Sequence, residues 1–227
     1  MADKYFVLIP CAGVGERFGG GVPKQYSQIL GQSILTHTLQ PFIALPEIYQ
    51  IILVANINDV YIDEYAKLSD KIVIKKVGGS VRAITVLNGL REIKCNNDDW
   101  ILVHDAVRCC ITTALLKKLI DQLRDSPVGG ILAVQATDTI KQVSSRVIDK
   151  TLPRDQIYLA QTPQMFRCGI LKDALMQVDP AAITDDASAV EQLGYPVEIV
   201  ESNPRNLKIT YKEDAYLAEF LLQSLAL

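Results

Sequence analysis

The chain has no basic excess, no long apolar run and no closely paired cysteine motif, and each absence removes a class of function. Its 227 residues carry 23 Lys and Arg against 26 Asp and Glu, a formal net charge of −3. Without a basic field over the molecule, binding to nucleic acid or to a membrane surface is not expected. A cationic site must then be a local pocket, which suits a small anionic ligand. Apolar runs such as residues 51–55 are far too short to span a bilayer. The opening Met1-Ala2-Asp3-Lys4 lacks the basic segment and apolar core of a signal peptide. The cysteines (Cys11, Cys95, Cys109, Cys110 and Cys168) are odd in number and never spaced C-x-x-C. That argues against a disulfide framework or a zinc knuckle and for buried thiols in a reducing cytosol; a redox role for the vicinal Cys109 and Cys110 is the minor alternative.

What the chain does have is core material: 49% of residues are hydrophobic and 22% charged. That suits one large domain or one domain with an appendage. The most telling stretch is Pro10-Cys11-Ala12-Gly13-Val14-Gly15-Glu16-Arg17-Phe18-Gly19-Gly20-Gly21-Val22-Pro23-Lys24-Gln25, directly after an apolar run at 5–9 that reads as a buried strand. Glycines let backbone N–H groups approach an anion, and Arg17 and Lys24 neutralise it. No Asp or Glu occurs between Arg17 and Pro46 to cancel them. A polyphosphate is the ligand this implies. It is not a dinucleotide fingerprint, because Phe18 stands where the third glycine belongs and the ribose-binding acid is missing. Nor is it a Walker A loop, because Lys24 is followed by Gln25.

Further along, strand-like and helical patterns alternate. Strands are expected at 48–54, 71–77, 100–104 and 129–135, with helices at 34–44, 60–68, 81–93 and 114–123. Such alternation predicts an α/β fold with a mostly parallel sheet and helices on both faces, its ligands at the carboxyl ends of the strands. The rhythm changes at 137–148, a polar, β-branched hairpin turning at Ser144-Ser145, with too little apolar surface to stand alone. A partner subunit is the natural support for such an arm. An extended segment at 157–166, helices at 171–178, 185–193 and 213–225, and short strands at 197–200 and 207–210 complete the expectation.

Seven segments, in order and across nearly the whole chain, resemble the 2-C-methyl-D-erythritol 4-phosphate cytidylyltransferases of non-mevalonate isoprenoid synthesis. They are the opening loop, Gly78-Gly79-Ser80-Val81-Arg82, Val103-His104-Asp105-Ala106-Val107-Arg108, Asp138-Thr139-Ile140-Lys141, Gln161-Thr162-Pro163-Gln164-Met165-Phe166, Ile183-Thr184-Asp185-Asp186-Ala187-Ser188 and Asn206-Leu207-Lys208-Ile209-Thr210. The resemblance implies a Rossmann-like nucleotidyltransferase fold, one domain over 1–227, with residues 137–158 as a β-arm that exchanges contacts across a homodimer. It further implies transfer of the cytidylyl group of CTP to the methylerythritol phosphate, release of pyrophosphate, a divalent ion (usually Mg²⁺), and a bacterial cytoplasm. Two departures stand out: Ser80 replaces a usual acid after the paired glycines, and Cys109 replaces a usual proline.

The chemistry asks little of histidine, of which the chain has only His37 and His104. A phosphate oxygen attacks the α-phosphorus of CTP and is already ionised, so fixed cations and positioning carry the catalysis. The resemblance assigns Arg17, Lys24 and Lys208 to the triphosphate and the developing charge. It assigns Ala12, Gly13, Gly15, Gly79, Ser80, Thr85, Asp105 and Ala106 to the nucleotide, with Asp105 also the metal carboxylate. Backbone groups at Gly78-Gly79-Ser80 would read cytosine; Thr85 either joins them or bonds its own helix. Arg108, Thr139, Lys141, Arg154, Thr162, Thr184 and Asp185 fall to the acceptor. Arg108 is either a substrate contact or an ion-pair partner of Asp105, His104 reads as a packed residue, and Thr184 reads also as a helix N-cap. If the arm crosses, Arg154 serves the neighbour's site. Rival readings are a ribitol 5-phosphate cytidylyltransferase and a non-catalytic nucleotide sensor.

Overall fold

The computed structural model describes residues 3–13 and 21–225. Among these, the elements run β1 (Tyr5–Pro10), β2 (Gln28–Ile29), β3 (Gln32–Ser33), α1 (Ile34–Ala44), β4 (Ile48–Val54), β5 (Ile72–Lys75), α2 (Arg82–Arg91), β6 (Trp100–Val103), α3 (Thr113–Leu123), β7 (Gly129–Gln135), β8 (Ile140–Ser144), β9 (Val147–Leu152), β10 (Tyr158–Arg167), α4 (Cys168–Gln177), α5 (Asp186–Gln192), β11 (Glu198–Glu201) and α6 (Lys212–Leu225).

Seven strands form one sheet in the order β11-β7-β10-β6-β1-β4-β5. All neighbours are parallel except β10, which runs antiparallel to both β6 and β7. The unbroken apolar run of β1 has a simple cause: both faces of the strand are covered. Val7 and Ile9 pack with α1 and α3 on one side, while Phe6 and Leu8 pack with α2, α4 and α5 on the other. From β1 the chain proceeds outward to β4 and β5, then returns to β6 on β1's other flank. The crevice beyond the carboxyl ends of β1 and β6 is therefore a topological switch point, where ligands of such sheets bind.

The helix expected at 60–68 is a 3-10 helix, Ile62–Leu68. Asp59 accepts from the N–H groups of Tyr61 and Ile62 at its start, and Ile62 is its sole buried residue, so little apolar face favours an α-helix. The expected strand at 207–210 forms no ladder. Ile209 N–H bonds to the Val107 carbonyl, but Thr210 and Tyr211 N–H are drawn to the Asp214 carboxylate at the head of α6. The β2–β3 ribbon, turning through Leu30 and Gly31 at positive φ, carried too short a pattern to be expected.

The arm is a separate two-stranded sheet, β8 with β9. Its turn lies at Ser145-Arg146, one residue beyond the expected pair. Both have positive φ, as a two-residue hairpin turn with the strands' own twist requires. A further correction concerns cysteine. Cys11, Cys109 and Cys110 are buried free thiols as expected, but Cys95 and Cys168 are disulfide-bonded. They lie 73 residues apart, so no local spacing announces the pair. The loop before β6 brings them together by docking on the start of α4, where Cys168 and Gly169 N–H bond to the Asp99 and Asn97 carbonyls.

Candidate active site

Two adjoining clefts open at the switch point. The first, of about 250 Å³, is lined by Ala12, Gly13 and Lys24 from the segment after β1, and by Gly79, Ser80, Arg82 and Thr85 around the start of α2. Asp105 and Ala106 beyond β6, and Lys208, complete it. Every described residue assigned from sequence to the nucleotide therefore lines one cavity, with Lys24 and Lys208. Gly15 and Arg17 lie outside the described residues.

Local structure explains the placement. Gln25 is buried and donates to the Cys11 carbonyl (2.9 Å), anchoring the Lys24–Tyr26 turn against the end of β1. Lys24 Nζ then reaches the Ile209 carbonyl at 2.5 Å, beside Lys208. Across the cleft the paired glycines have no room for a side chain. A Cβ on Gly78 would lie 2.5 Å from that of Ala12, and one on Gly79 2.3 Å from Ile84 Cγ2. Thr85 lines the cleft, and its hydroxyl accepts from Gly79 N–H (3.0 Å) and bonds to the Val81 carbonyl (3.1 Å). It braces the glycine turn from within.

The second cleft, of about 270 Å³, is lined by Arg108, Gln161, Thr162, Gln164, Thr184 and Asp185. Arg82, Asp105 and Lys208 line both clefts and form the border between them. The antiparallel strand β10 shifts register against β7 between Ala160 and Gln164, and such an irregularity re-aims side chains at a site. Thr162 Oγ1 accordingly meets the Asp105 N–H (3.0 Å) and His104 Nδ1 (2.9 Å). Thr184 is not the cap of α5. Asp185 is, accepting from Ser188 N–H, while Ser188 Oγ accepts from Asp185 N–H. The extended backbone places Asp185, not Thr184, one residue before the helix, and Gln164 fixes its carboxylate at 2.7 Å.

Thr139, Lys141 and Arg154 do not join this assembly and line neither cleft. Lys141 donates to Thr151 across the hairpin (2.7 Å), and Arg154 donates to the Thr137 carbonyl.

Asp105 is the hub. Its Oδ1 accepts from Arg82 Nε (3.2 Å), and its Oδ2 meets Arg108 Nε (3.3 Å) and Lys208 Nζ (3.0 Å). Burial by itself would raise its pKa, but Arg82, Lys208 and Arg108 together hold the carboxyl well below the usual carboxylate range. Arg108 thus pairs with Asp105 while lining the second cleft, and also donates to the Asn206 carbonyl (2.8 Å). Arg82, which sequence reasoning did not assign, bridges Asp105 and the fully buried Asp186 (2.9 Å). A signal existed: a cation at the first position of a helix opposes the helix dipole and needs acids nearby.

His104 is fully buried with both ring nitrogens engaged, Nδ1 by Thr162 and Nε2 by the Arg108 carbonyl (3.3 Å). Burial, the largest influence, brings its pKa down to about 3. It is a packed neutral residue, as expected, and not a general base. The unfolded chain takes up this proton near pH 6.5 and the folded chain does not until about pH 3. Stability from His104 is therefore complete above pH 6.5 and falls as pH drops, with a limiting slope of about 1.4 kcal/mol per pH unit. Urea unfolding between pH 6.5 and 5 should show this slope, and His104→Gln should flatten it; an unchanged slope would mean that His104 is protonated in the fold.

Comparison with known proteins agrees with this geometry. The family model for 2-C-methyl-D-erythritol 4-phosphate cytidylyltransferase matches residues 5–224. Proteins of that name from Chromobacterium violaceum and Paraburkholderia phytofirmans are 43% and 42% identical to the chain. The first alignment covers 95% of this chain and 96% of the relative, the second 98% and 97%. A crystal structure of a 4-diphosphocytidyl-2C-methyl-D-erythritol synthase superposes with a TM-score of 0.87 at 36% identity, covering 98% of this chain and all of the other. The Francisella tularensis 2-C-methyl-D-erythritol 4-phosphate cytidylyltransferase superposes at 0.82 with 38% identity, covering 96% and 100%. A family-wide match over nearly the full chain, on a sheet whose switch point gathers Lys24, Arg108 and Lys208, means that this chain belongs to the 2-C-methyl-D-erythritol 4-phosphate cytidylyltransferase family.

Proposed function

We propose that the chain transfers the cytidylyl group of CTP to 2-C-methyl-D-erythritol 4-phosphate, giving 4-diphosphocytidyl-2-C-methyl-D-erythritol and pyrophosphate. The observation that carries this is the shared border of the two clefts, where Arg82, Lys208 and Asp105 meet. The triphosphate lies in the first cleft against Lys24 and the acceptor phosphate in the second beside Arg108. The α-phosphate then sits at the border, where an acceptor oxygen attacks and pyrophosphate leaves. Both reactants are anions. Two unit charges at 4 Å interact by about 1 kcal/mol in bulk water and about 4 kcal/mol at an effective dielectric of 20, so sheltered cations lower this barrier strongly. Asp105 keeps those cations aimed before the anion arrives.

A divalent ion, Mg²⁺ first, suits the donors present. Asp105 is the one carboxylate among the described residues lining the nucleotide cleft, and no cluster of three or more His, Cys, Asp or Glu among them forms a metal cage. Mg²⁺ binds through one or two carboxylates plus phosphate oxygens and water, so Asp105 would hold an ion carried mainly by the triphosphate by giving up one of its pairings with Arg82, Arg108 or Lys208. Bound there, the ion supplies neutralisation of phosphate charge.

The same reading treats the chain as one catalytic domain with the 137–158 arm used in a homodimer. Val143 and Ile148, paired across the hairpin, are exposed on one face of the arm and Val147 on the other, apolar surface suited to a partner. Thr139, Lys141 and Arg154 then complete the acceptor cleft of the neighbouring subunit; Arg suits bidentate recognition of a phosphate. No helix of the described residues is long and apolar enough to cross a membrane. A cytoplasmic location follows from the substrate, because CTP is too highly charged to cross a bilayer unaided.

Pyrophosphate release with CTP, Mg²⁺ and each acceptor in turn tests the function. Release with methylerythritol phosphate and not with ribitol 5-phosphate is the expected result. Release with ribitol 5-phosphate alone would move the acceptor, and silence with both while CTP still binds would make the protein a sensor.

A further inference from the structure

Arg82 stands at an unusual junction. It is the first residue of α2, directly after the glycine turn of the nucleotide cleft, yet its guanidinium reaches away to Asp186, the first residue of α5 behind the acceptor cleft. Asp186 lines neither cleft and is fully buried, and its other oxygen has no hydrogen-bond partner among the described groups. Gln164 ties the same turn of α5 to β10 through Asp185 and Ala187 N–H. An ion pair this buried adds little stability over an apolar pair of the same shape, so stability alone is a weak reason for it. Arg82 also lines both clefts, with 28% of its side chain accessible.

We propose that Arg82 is a positioning residue that couples the two clefts. Held at one end by Asp186, its planar fork fixes Asp105 and, through Asp105, the Lys208 ammonium at the point where the cytidylyl group is transferred. A shift of α5 on acceptor binding is thereby felt at Asp105, and a shift of the glycine turn on CTP binding is felt at α5. Lysine in place of Arg82 keeps the charge beside Asp186 but cannot span two carboxylates with separate nitrogens. This inference rests on the cytidylyltransferase reading.

The test compares wild type, Asp186→Asn, Arg82→Lys and the double variant. For each, kcat, KM for both substrates, CTP affinity by titration and the thermal midpoint are measured. Each single variant should lower kcat on the order of 10- to 100-fold, the scale of a small misplacement of reacting groups. CTP affinity should change by less than about threefold, because Asp186→Asn leaves Arg82 in place and Arg82→Lys keeps a cation at the border. The double variant should be no slower than the worse single one, since both break one link. Arg82→Lys within about threefold of wild-type kcat overturns the proposal. So does a loss of kcat matched by an equal loss of CTP affinity and a collapse in thermal midpoint, which marks a structural role. If Asp186→Asn does not fold, Arg82→Lys decides alone. Wild type that is silent on methylerythritol phosphate defeats the functional reading instead.

Discussion

Lys208→Ala should lower kcat by roughly 10²- to 10³-fold, the usual effect of removing one fixed donor from a site of developing charge, and Lys24→Ala by a similar factor. Lys208 Nζ sits 3.0 Å from Asp105 Oδ2 and lines both clefts, so in the proposed reaction it meets the α-phosphate at their border. Because the charge it meets builds up mainly in the transition state, kcat and kcat/KM should fall together. The fold should not suffer. The Lys208 side chain is 45% exposed, and Arg82 and Arg108 still pair with Asp105 when it is lost, so the buried carboxylate keeps cationic partners. Steady-state pyrophosphate release and a thermal midpoint measured on the same preparations separate the two effects. Turnover within a few-fold of wild type in either variant would remove the lysines from the chemistry.

The second large effect is a recovery. Arg154→Ala and Lys208→Ala should each be nearly inactive alone, yet mixing them with subunit exchange should restore about one quarter of wild-type activity. Half of the dimers formed from equal amounts are mixed. In each mixed dimer one cleft receives Lys208 from the Arg154→Ala chain and Arg154 from the Lys208→Ala chain, and is intact; the other carries both losses. The structural ground is that Arg154 lines neither cleft of its own chain and sits at the base of an exposed two-stranded arm. No recovery, with exchange demonstrated by a mass-tagged subunit, would mean that each cleft is completed within its own chain.

The fold was legible where pattern and burial coincide. The helix at 34–44 and the strands at 48–54 and 129–135 were readable to the residue. Each is a run most of whose apolar residues meet the core, Ala44 and Tyr49 being exposed, and Ser33 caps the helix by accepting from Thr36 N–H at 3.0 Å. Legibility failed where a side chain outcompetes the ladder. Asp214 takes the N–H groups of Thr210 and Tyr211, and Asp59 those of Tyr61 and Ile62, so the expected strand and α-helix do not form there. The antiparallel course of β10 was not readable, because a strand buried in a sheet has the same composition in either direction.

At the site, the sequence by itself determined the inventory: a glycine-rich loop after the first strand, Lys24, Asp105 at the end of an apolar strand, Lys208 near the carboxyl end, and few histidines. Those follow from residue chemistry, which is local. Only the tertiary structure decided who meets whom. It drew Arg82, Arg108 and Lys208 onto one carboxylate, engaged Thr85 and Thr162 as braces, gave the α5 cap to Asp185, and joined Cys95 to Cys168. These are contacts between residues up to a hundred or so positions apart, set by strand order and by the shift in β10. A single sequence carries no periodicity that encodes them, because the energy of each contact exists only once the sheet has brought its partners together.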